Sequence, residues 1–168
     1  MADPKRIYFI GYMGSGKSTA GRKLASMLGW DFIDLDEIIE EKNGRTIEEI
    51  FLFSGEGEFR KIESNLLRNI ACRNNTVISV GGGAPCFFGN MDFMNRTGRT
   101  IYLKMKPEDL SKRIRNDSKT RPLLKGLSGG ELQKFIEMKL AEREYYYLQS
   151  GLVVDGNNLD LEEIKSRF

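Results

Sequence analysis

The segment Gly11-Tyr12-Met13-Gly14-Ser15-Gly16-Lys17-Ser18 sets three glycines, a lysine and a hydroxyl directly behind a short apolar run. Its spacing is G-x-x-x-x-G-K-[ST], the pattern of a loop that cradles the phosphates of a nucleoside triphosphate. The glycines let consecutive backbone N–H groups turn toward one anion. A helix opening at the end of the loop adds the positive end of its dipole. Lys17 can then reach the β- and γ-phosphates, and the Ser18 hydroxyl can bind magnesium. The competing reading is a glycine-rich turn without function. The apolar run before the loop and the helical pattern after it argue against that.

A phosphate loop alone does not define a reaction. No N-K-x-D guanine-reading motif occurs in the chain, which speaks against a GTPase. The third apolar run ends in Gly81-Gly82-Gly83, so the acidic residue usual at that strand end is missing. Carboxylates stand instead at Asp34 and Asp36. In a continuous strand the two point to one face. They fall at a carboxyl-terminal strand end, where open α/β sheets bind ligands. One could organise water around magnesium, and the other could accept a proton or a hydrogen bond from a hydroxyl substrate. Asp36 could also cap the helix suggested by "EIIEEK". The chain has no histidine, so a general base must be a carboxylate, lysine, tyrosine or cysteine.

Three arginines could face an anion. Arg60 and Glu63 lie about one helical turn apart. They form either a surface ion pair worth at most about 1 kcal/mol or a unit in which Glu63 aims Arg60 at a bound anion. Arg143 lies on an apolar helix face between Leu140 and Tyr147. There it either meets an anion or snorkels past the helix edge. Arg121 falls in "RNDSKTRPLLKGLSGG" (115–130), which lacks clear periodicity. That stretch reads as a plain surface loop or as a mobile lid whose arginine closes over phosphates.

The elements that must position these groups alternate along the chain. Apolar runs at 6–12, 31–36, 76–83, 100–105 and 151–156 read as strands buried on both faces. Helical patterns fill the gaps, with Gly29 as a C-cap. Thr46 and Glu49 have capping-box spacing, and Pro107 suits a first helical position. Phe59, Ile62, Leu66 and Ile70 form one apolar stripe between Glu58 and Cys72. Leu132, Phe135, Ile136, Leu140 and Tyr147 form another between Gly130 and Gln149. The expected class is a parallel α/β sheet with right-handed crossovers.

At 168 residues, 40% hydrophobic and 30% charged, the chain fits one soluble globular domain. A net charge of +2 is too small to argue for nucleic acid or an anionic membrane. No apolar run approaches the roughly 20 residues of a membrane span, and no secretory signal pattern opens the chain. Cys72 and Cys86 have no metal spacing, which suits a reduced cytoplasmic location.

Taken in order, "GYMGSGKST", "DLD", "GEGEFRKIE", "GGGAP", "RPLL" and "LAEREYY" resemble the shikimate kinase family over nearly the whole chain. The resemblance implies a three-layer αβα fold of the nucleoside-monophosphate-kinase type with a five-stranded parallel sheet. It implies ATP-dependent phosphorylation of the shikimate 3-hydroxyl, with ATP and shikimate as partners, by a monomer. By the resemblance, the phosphate loop is 11–18, the acceptor-binding region about 34–63 and the lid about 113–128 of one kinase domain. Gly14, Ser15, Gly16, Lys17, Ser18 and Thr19 bind ATP, as does Arg121 of the lid, while Arg113 stacks near adenine. Ser18 and Asp34 support Mg2+. Asp36 contacts the shikimate hydroxyls as base or orienter. Arg60 and Arg143 hold the carboxylate, and Gly81, Gly82 and Gly83 offer backbone contacts. Lys17, Asp36 and Arg121 are the catalytic set. After the last strand, where family members often place a basic residue or proline near adenine, this chain has Asn157-Asn158. A gluconate kinase of the same fold is the nearest alternative. A scaffold that has lost turnover is a more distant one, and intact Lys17, Ser18, Asp36 and Arg121 speak against it.

Overall fold

Ile7 and Phe9 of strand β1 (Arg6–Ile10) pack on one face of a sheet, and Tyr8 and Ile10 pack on the other. This period-2 burial on both faces makes β1 a central strand. The computed structural model describes residues 5–117, 124 and 126–168. In it, β1 lies between β3 (Thr76–Ser79) and β4 (Arg99–Lys104), and both pair with it in parallel. Strands β2 (Asp31–Asp34) and β5 (Leu152–Asp155) close the five-stranded sheet, in the order β2-β3-β1-β4-β5.

Helices cover both faces. Ala20 and Leu24 of α1 (Lys17–Leu28) join Ile164 of α7 (Leu161–Lys165) against Ile7 and Phe9. The opposite face carries α2 (Leu35–Asn43), α3 (Ile47–Ile70), α4 (Asn90–Thr97), α5 (Pro107–Asn116) and α6 (Gly129–Tyr147). Their buried Ile39, Leu67, Met94, Leu110 and Ile136 pack with Tyr8 and Ile10. The result is the expected three-layer αβα arrangement. The chain passes from β1 to β2 and back to β3 on one side, then crosses to β4 and β5 on the other, so the carboxyl end of β1 lies at the switch point where such sheets bind ligands.

Local signals act as expected at several ends. Gly29 caps α1 at φ 66. Thr46 Oγ1 accepts from Glu49 N at 3.1 Å while Glu49 Oε2 accepts from Thr46 N at 2.8 Å, which completes a capping box. Pro107 begins α5. Helix α3 is broken at Gly55 (φ 79, ψ 167), between the two helical stretches read from the sequence.

Three expectations need correction. The strands are not all buried on both faces. β2 and β5 are sheet edges with exposed or half-buried residues, because each has a neighbour on one side only. The second run does not stay extended to Asp36. It ends at Asp34, whose Oδ1 accepts from Asp36 N at 3.0 Å and Glu37 N at 3.3 Å, so Asp34 rather than Asp36 is the N-cap of α2. The two carboxylates therefore share the site through a strand end and a first helical turn, not through strand alternation. Finally, α4, α7 and a short 3-10 turn at Ala84–Cys86 carry too little periodic pattern to have been read.

Candidate active site

The phosphate loop leaves the carboxyl end of β1 and enters α1 through Gly16 at φ 91, a left-handed conformation that suits glycine. Gly14 also has positive φ (80), and a Cβ there would meet Ile114 of α5 at 2.9 Å. Lys17 Nζ donates to the carbonyls of Gly11 (2.9 Å) and Tyr12 (3.0 Å), which keeps its charge curled over the loop. Ser18 Oγ donates to Asp34 Oδ2 at 2.5 Å and lies 3.2 Å from Ser79 Oγ. Ser79, at the end of β3, was not singled out in the sequence. It stands where an acidic residue was looked for and not found.

A cavity of about 730 Å³ runs from this loop to α6. Gly14, Gly16, Lys17, Ser18 and Thr19 line one end, and Asp36, Arg60, Glu63 and Arg143 line the other, with Gly81–Gly83 between. Asp36, in the first turn of α2, has its Oδ1 buried with no hydrogen-bond partner among the described residues. Burial lifts its carboxyl to about 6, helped by the neighbouring charge of Asp34 and opposed by Lys17 and Arg60.

Arg60 and Glu63 lie on the second half of α3, and their pair is buried. Arg60 Nη1 donates to Glu63 Oε1 at 2.8 Å, with side-chain exposures of 6% and 0%. The surface version of this pair, left open by the sequence, is excluded. Burial raises Glu63 to about 7 against the attraction of Arg60. Its second oxygen, Oε2, is buried and lacks a partner among the described residues. The glycine run explains how such a charged group fits. A Cβ on Gly83 would sit 2.2 Å from Arg60 Nη2, and one on Gly81 would sit 2.8 Å from Glu63 Oε2. Here the glycines matter for the room they leave. Behind them, Asn90 Nδ2 donates to Ala84 O at 2.9 Å and Asn90 Oδ1 accepts from Ser64 Oγ at 2.9 Å, tying the glycine run to α3.

Arg143 does not snorkel outward. Its guanidinium turns inward over Tyr12, with Cζ 5.5 Å from the ring centroid. Nη1 is buried without a partner among the described residues, 3.4 Å from where a Gly82 Cβ would stand. Tyr147, read as a plain core residue, donates its hydroxyl to Gly82 O at 2.5 Å and so anchors the same run from α6. Arg113 of α5 spans from Ser15 O (3.3 Å) to Gly156 O and Asn157 Oδ1 (both 3.4 Å), which brings the Asn157 turn beside the phosphate loop. Arg121 lies outside the described residues, together with 118–120, 122, 123 and 125 of the lid stretch.

A five-stranded parallel sheet with a phosphate loop at its switch point, facing carboxylates and arginines across one cavity, defines a P-loop kinase that acts on a small molecule. The shikimate kinase sequence model matches residues 13–168. The chain belongs to the shikimate kinase family, and it is an enzyme of that kind. It is 46% identical over 155 residues to shikimate kinase from Parabacteroides distasonis, covering 92% of this chain and 90% of that one. A crystal structure of shikimate kinase from Bacteroides thetaiotaomicron superposes with a TM-score of 0.90 at 43% identity, covering 96% of this chain and 94% of that one. Shikimate kinase from Acinetobacter baumannii, solved in complex with shikimate, matches with a TM-score of 0.85 at 32% identity, covering 99% of this chain and 90% of that one. The family match decides between shikimate and gluconate, the two acceptors the sequence had left open.

Proposed function

We propose that this chain moves the terminal phosphoryl group of ATP to the 3-hydroxyl of shikimate with the cavity residues in named roles. One observation carries the acceptor side. Asp36 Oδ1 and Glu63 Oε2 need hydrogen-bond donors, and Arg143 Nη1 needs an acceptor, all in one cavity. A hydroxylated carboxylic acid supplies both kinds of partner, and leaving such buried groups unmet is unfavourable. Arg60 and Arg143 take the carboxylate. Asp36 takes the 3-hydroxyl as base or orienter. Gly81, Gly82 and Gly83 let the ring approach the backbone. At the other end, Gly14, Ser15, Gly16, Lys17, Ser18 and Thr19 hold the phosphates, with Arg113 on the adenine side. Arg121, outside the described residues, is proposed as the second cation over the transferring group.

Mg2+ fits the oxygen donors Ser18 and Asp34, with Ser79 close by. Such a cation keeps much of its own water and binds phosphate oxygens, so few protein ligands are needed. When bound, it would neutralise charge on the phosphates. The transfer itself then depends on positioning and charge.

A coupled assay with shikimate, gluconate and a shikimate lacking the 3-hydroxyl tests the reaction. Turnover is expected with shikimate alone. Comparable turnover of gluconate, or of the deoxy acid, would overturn the reading.

A pH series tests Asp36. It can take the proton of a hydroxyl only when charged, so kcat/KM should fall as pH drops through about 6. Its effect on stability has the opposite sign. A carboxyl raised above its ordinary range keeps its proton in the folded state while the unfolded chain gives it up. Its favourable contribution is therefore present at low pH and lost as pH rises through about 6. Ligand-free Asp36→Asn should melt above the parent at pH 8, and the gap should narrow below about pH 6 and close toward about pH 4. A gap independent of pH would show that Asp36 is not raised.

A further inference from the structure

Arg60 is held by a second carboxylate that the roles above leave unused. Its Nε and Nη2 both donate to Glu56 Oε1, at 3.3 and 3.2 Å. We propose that Glu56 is a positioning residue that acts through Arg60, its carboxylate occupying the edge that the substrate carboxylate must take and being displaced by it. This rests on the reading of Arg60 as the carboxylate clamp.

The other sides of the guanidinium are taken. Glu63 Oε1 holds Nη1, and the Gly83 backbone stands so close that a Cβ would lie 2.2 Å from Nη2 and 2.8 Å from Nη1. The rings of Phe59 and Phe87 lie 5.1 and 4.7 Å from Cζ. The Nε–Nη2 edge remains, and it is an edge that offers a carboxylate two parallel N–H bonds. Glu56 meets it poorly. One oxygen serves both donors, at distances beyond the roughly 2.7–2.9 Å usual for charge-assisted bonds.

Glu56 can also leave easily. Its side chain is 53% exposed whereas Glu63 is fully buried, so water can solvate the released carboxylate. It follows the break at Gly55, and a Cβ on Gly57 would meet nothing within 4 Å. The first residues of this half-helix can therefore adjust without moving Glu63. An acid that reaches Arg143 as well as Arg60 gains two cations in exchange for one weak internal contact. A neutral polyol gains nothing from the exchange, and Glu56 stays. Glu56 thus stands in for the substrate carboxylate, keeping the Arg60 edge paired until an acid arrives and taking part of the acid's affinity in the exchange.

Calorimetry on nucleotide-free protein, with shikimate and its carboxamide as probes, tests this. The proteins are wild type, Glu56→Gln and Glu58→Gln. Glu58 is a neighbouring exposed acid that pairs with Lys61 at 3.6 Å, so its variant removes the same charge without touching Arg60. Glu56→Gln should bind the acid about two- to fivefold more tightly, the range of an exposed ion pair. It should leave the amide unchanged, and Glu58→Gln should alter neither. Weaker or equal binding of the acid by Glu56→Gln would make Glu56 a support or a bystander and overturn the proposal. So would an equal gain for the amide, or an equal gain in Glu58→Gln, which would reduce the effect to the general field. If wild type binds acid and amide equally, the clamp itself fails and this inference falls with it. A wild-type preference for the acid that Glu56→Gln leaves unaltered removes the inference alone.

Discussion

Lys17→Met is expected to remain folded and to lose kcat by at least about 10²–10³-fold, the usual effect of deleting one group that stabilises transition-state charge. In the ligand-free protein the ammonium bonds to the Gly11 and Tyr12 carbonyls of its own loop. Methionine keeps the length of the stem and gives up those two bonds at a half-buried position, where water can replace them. The fold should thus survive while the cation on the β- and γ-phosphates is lost. Circular dichroism checks the fold, and a coupled assay at saturating ATP and shikimate checks kcat. Saturation matters, because weaker ATP binding alone would raise KM and leave kcat intact. Turnover near that of the parent would take the loop out of the chemistry.

The second large effect concerns the acceptor's charge. Arg60→Ala and Arg143→Ala should each weaken shikimate binding by roughly 2–5 kcal/mol, a factor of about 30 or more in Kd. The carboxamide should lose much less. The two variants are not equivalent. Arg143 Nη1 has no hydrogen-bond partner among the described residues, and the guanidinium otherwise meets the neutral Tyr12 and Tyr147, so its removal strands no buried carboxylate. Removing Arg60 also strands the buried Glu63, which would then favour its neutral form. Arg143→Ala is therefore the cleaner arm of the cycle, and Arg60→Ala should also lower the melting temperature of the ligand-free protein. Calorimetric Kd values for acid and amide on both variants give the coupling directly. If acid and amide lose affinity equally in both proteins, neither arginine reads the carboxylate.

What could be read from the sequence was whatever sits close together along the chain. The phosphate loop is contiguous, and its glycines and lysine state their job in eight residues. Arg60 and Glu63 are one turn apart, so their pairing was legible, though not its burial, which comes from the glycine run packed against them. Asp36 was found for a partly mistaken reason. Strand alternation would align it with Asp34, but the strand stops two residues earlier than that argument needs. The direction of Arg143 could not be read, because periodicity says which face a residue lies on and not whether a gap awaits its head group. That gap exists only once α6 docks against Gly82 through Tyr147. Ser79, Asn90 and Glu56 were missed for a related reason. Each is an ordinary polar residue in sequence and gains its place from a partner or a turn fixed by the fold.

The position of each strand in the sheet has an evolutionary consequence. β1, which carries the phosphate loop, is braced by a strand on either side, whereas β2, which leads into Asp36 and onward to Arg60 and Glu63, is paired on one side only. Changes on the cavity-facing side of α2 and early α3 fall near the rim, away from the buried Ile39 and Leu67 that pack on the central strand. The acceptor-reading half can therefore be rebuilt while the nucleotide half is inherited unchanged. A lineage of this architecture can diversify its alcohols without re-inventing phosphoryl transfer, and the same asymmetry makes α2 and α3 the natural segment to graft when a new acceptor is wanted.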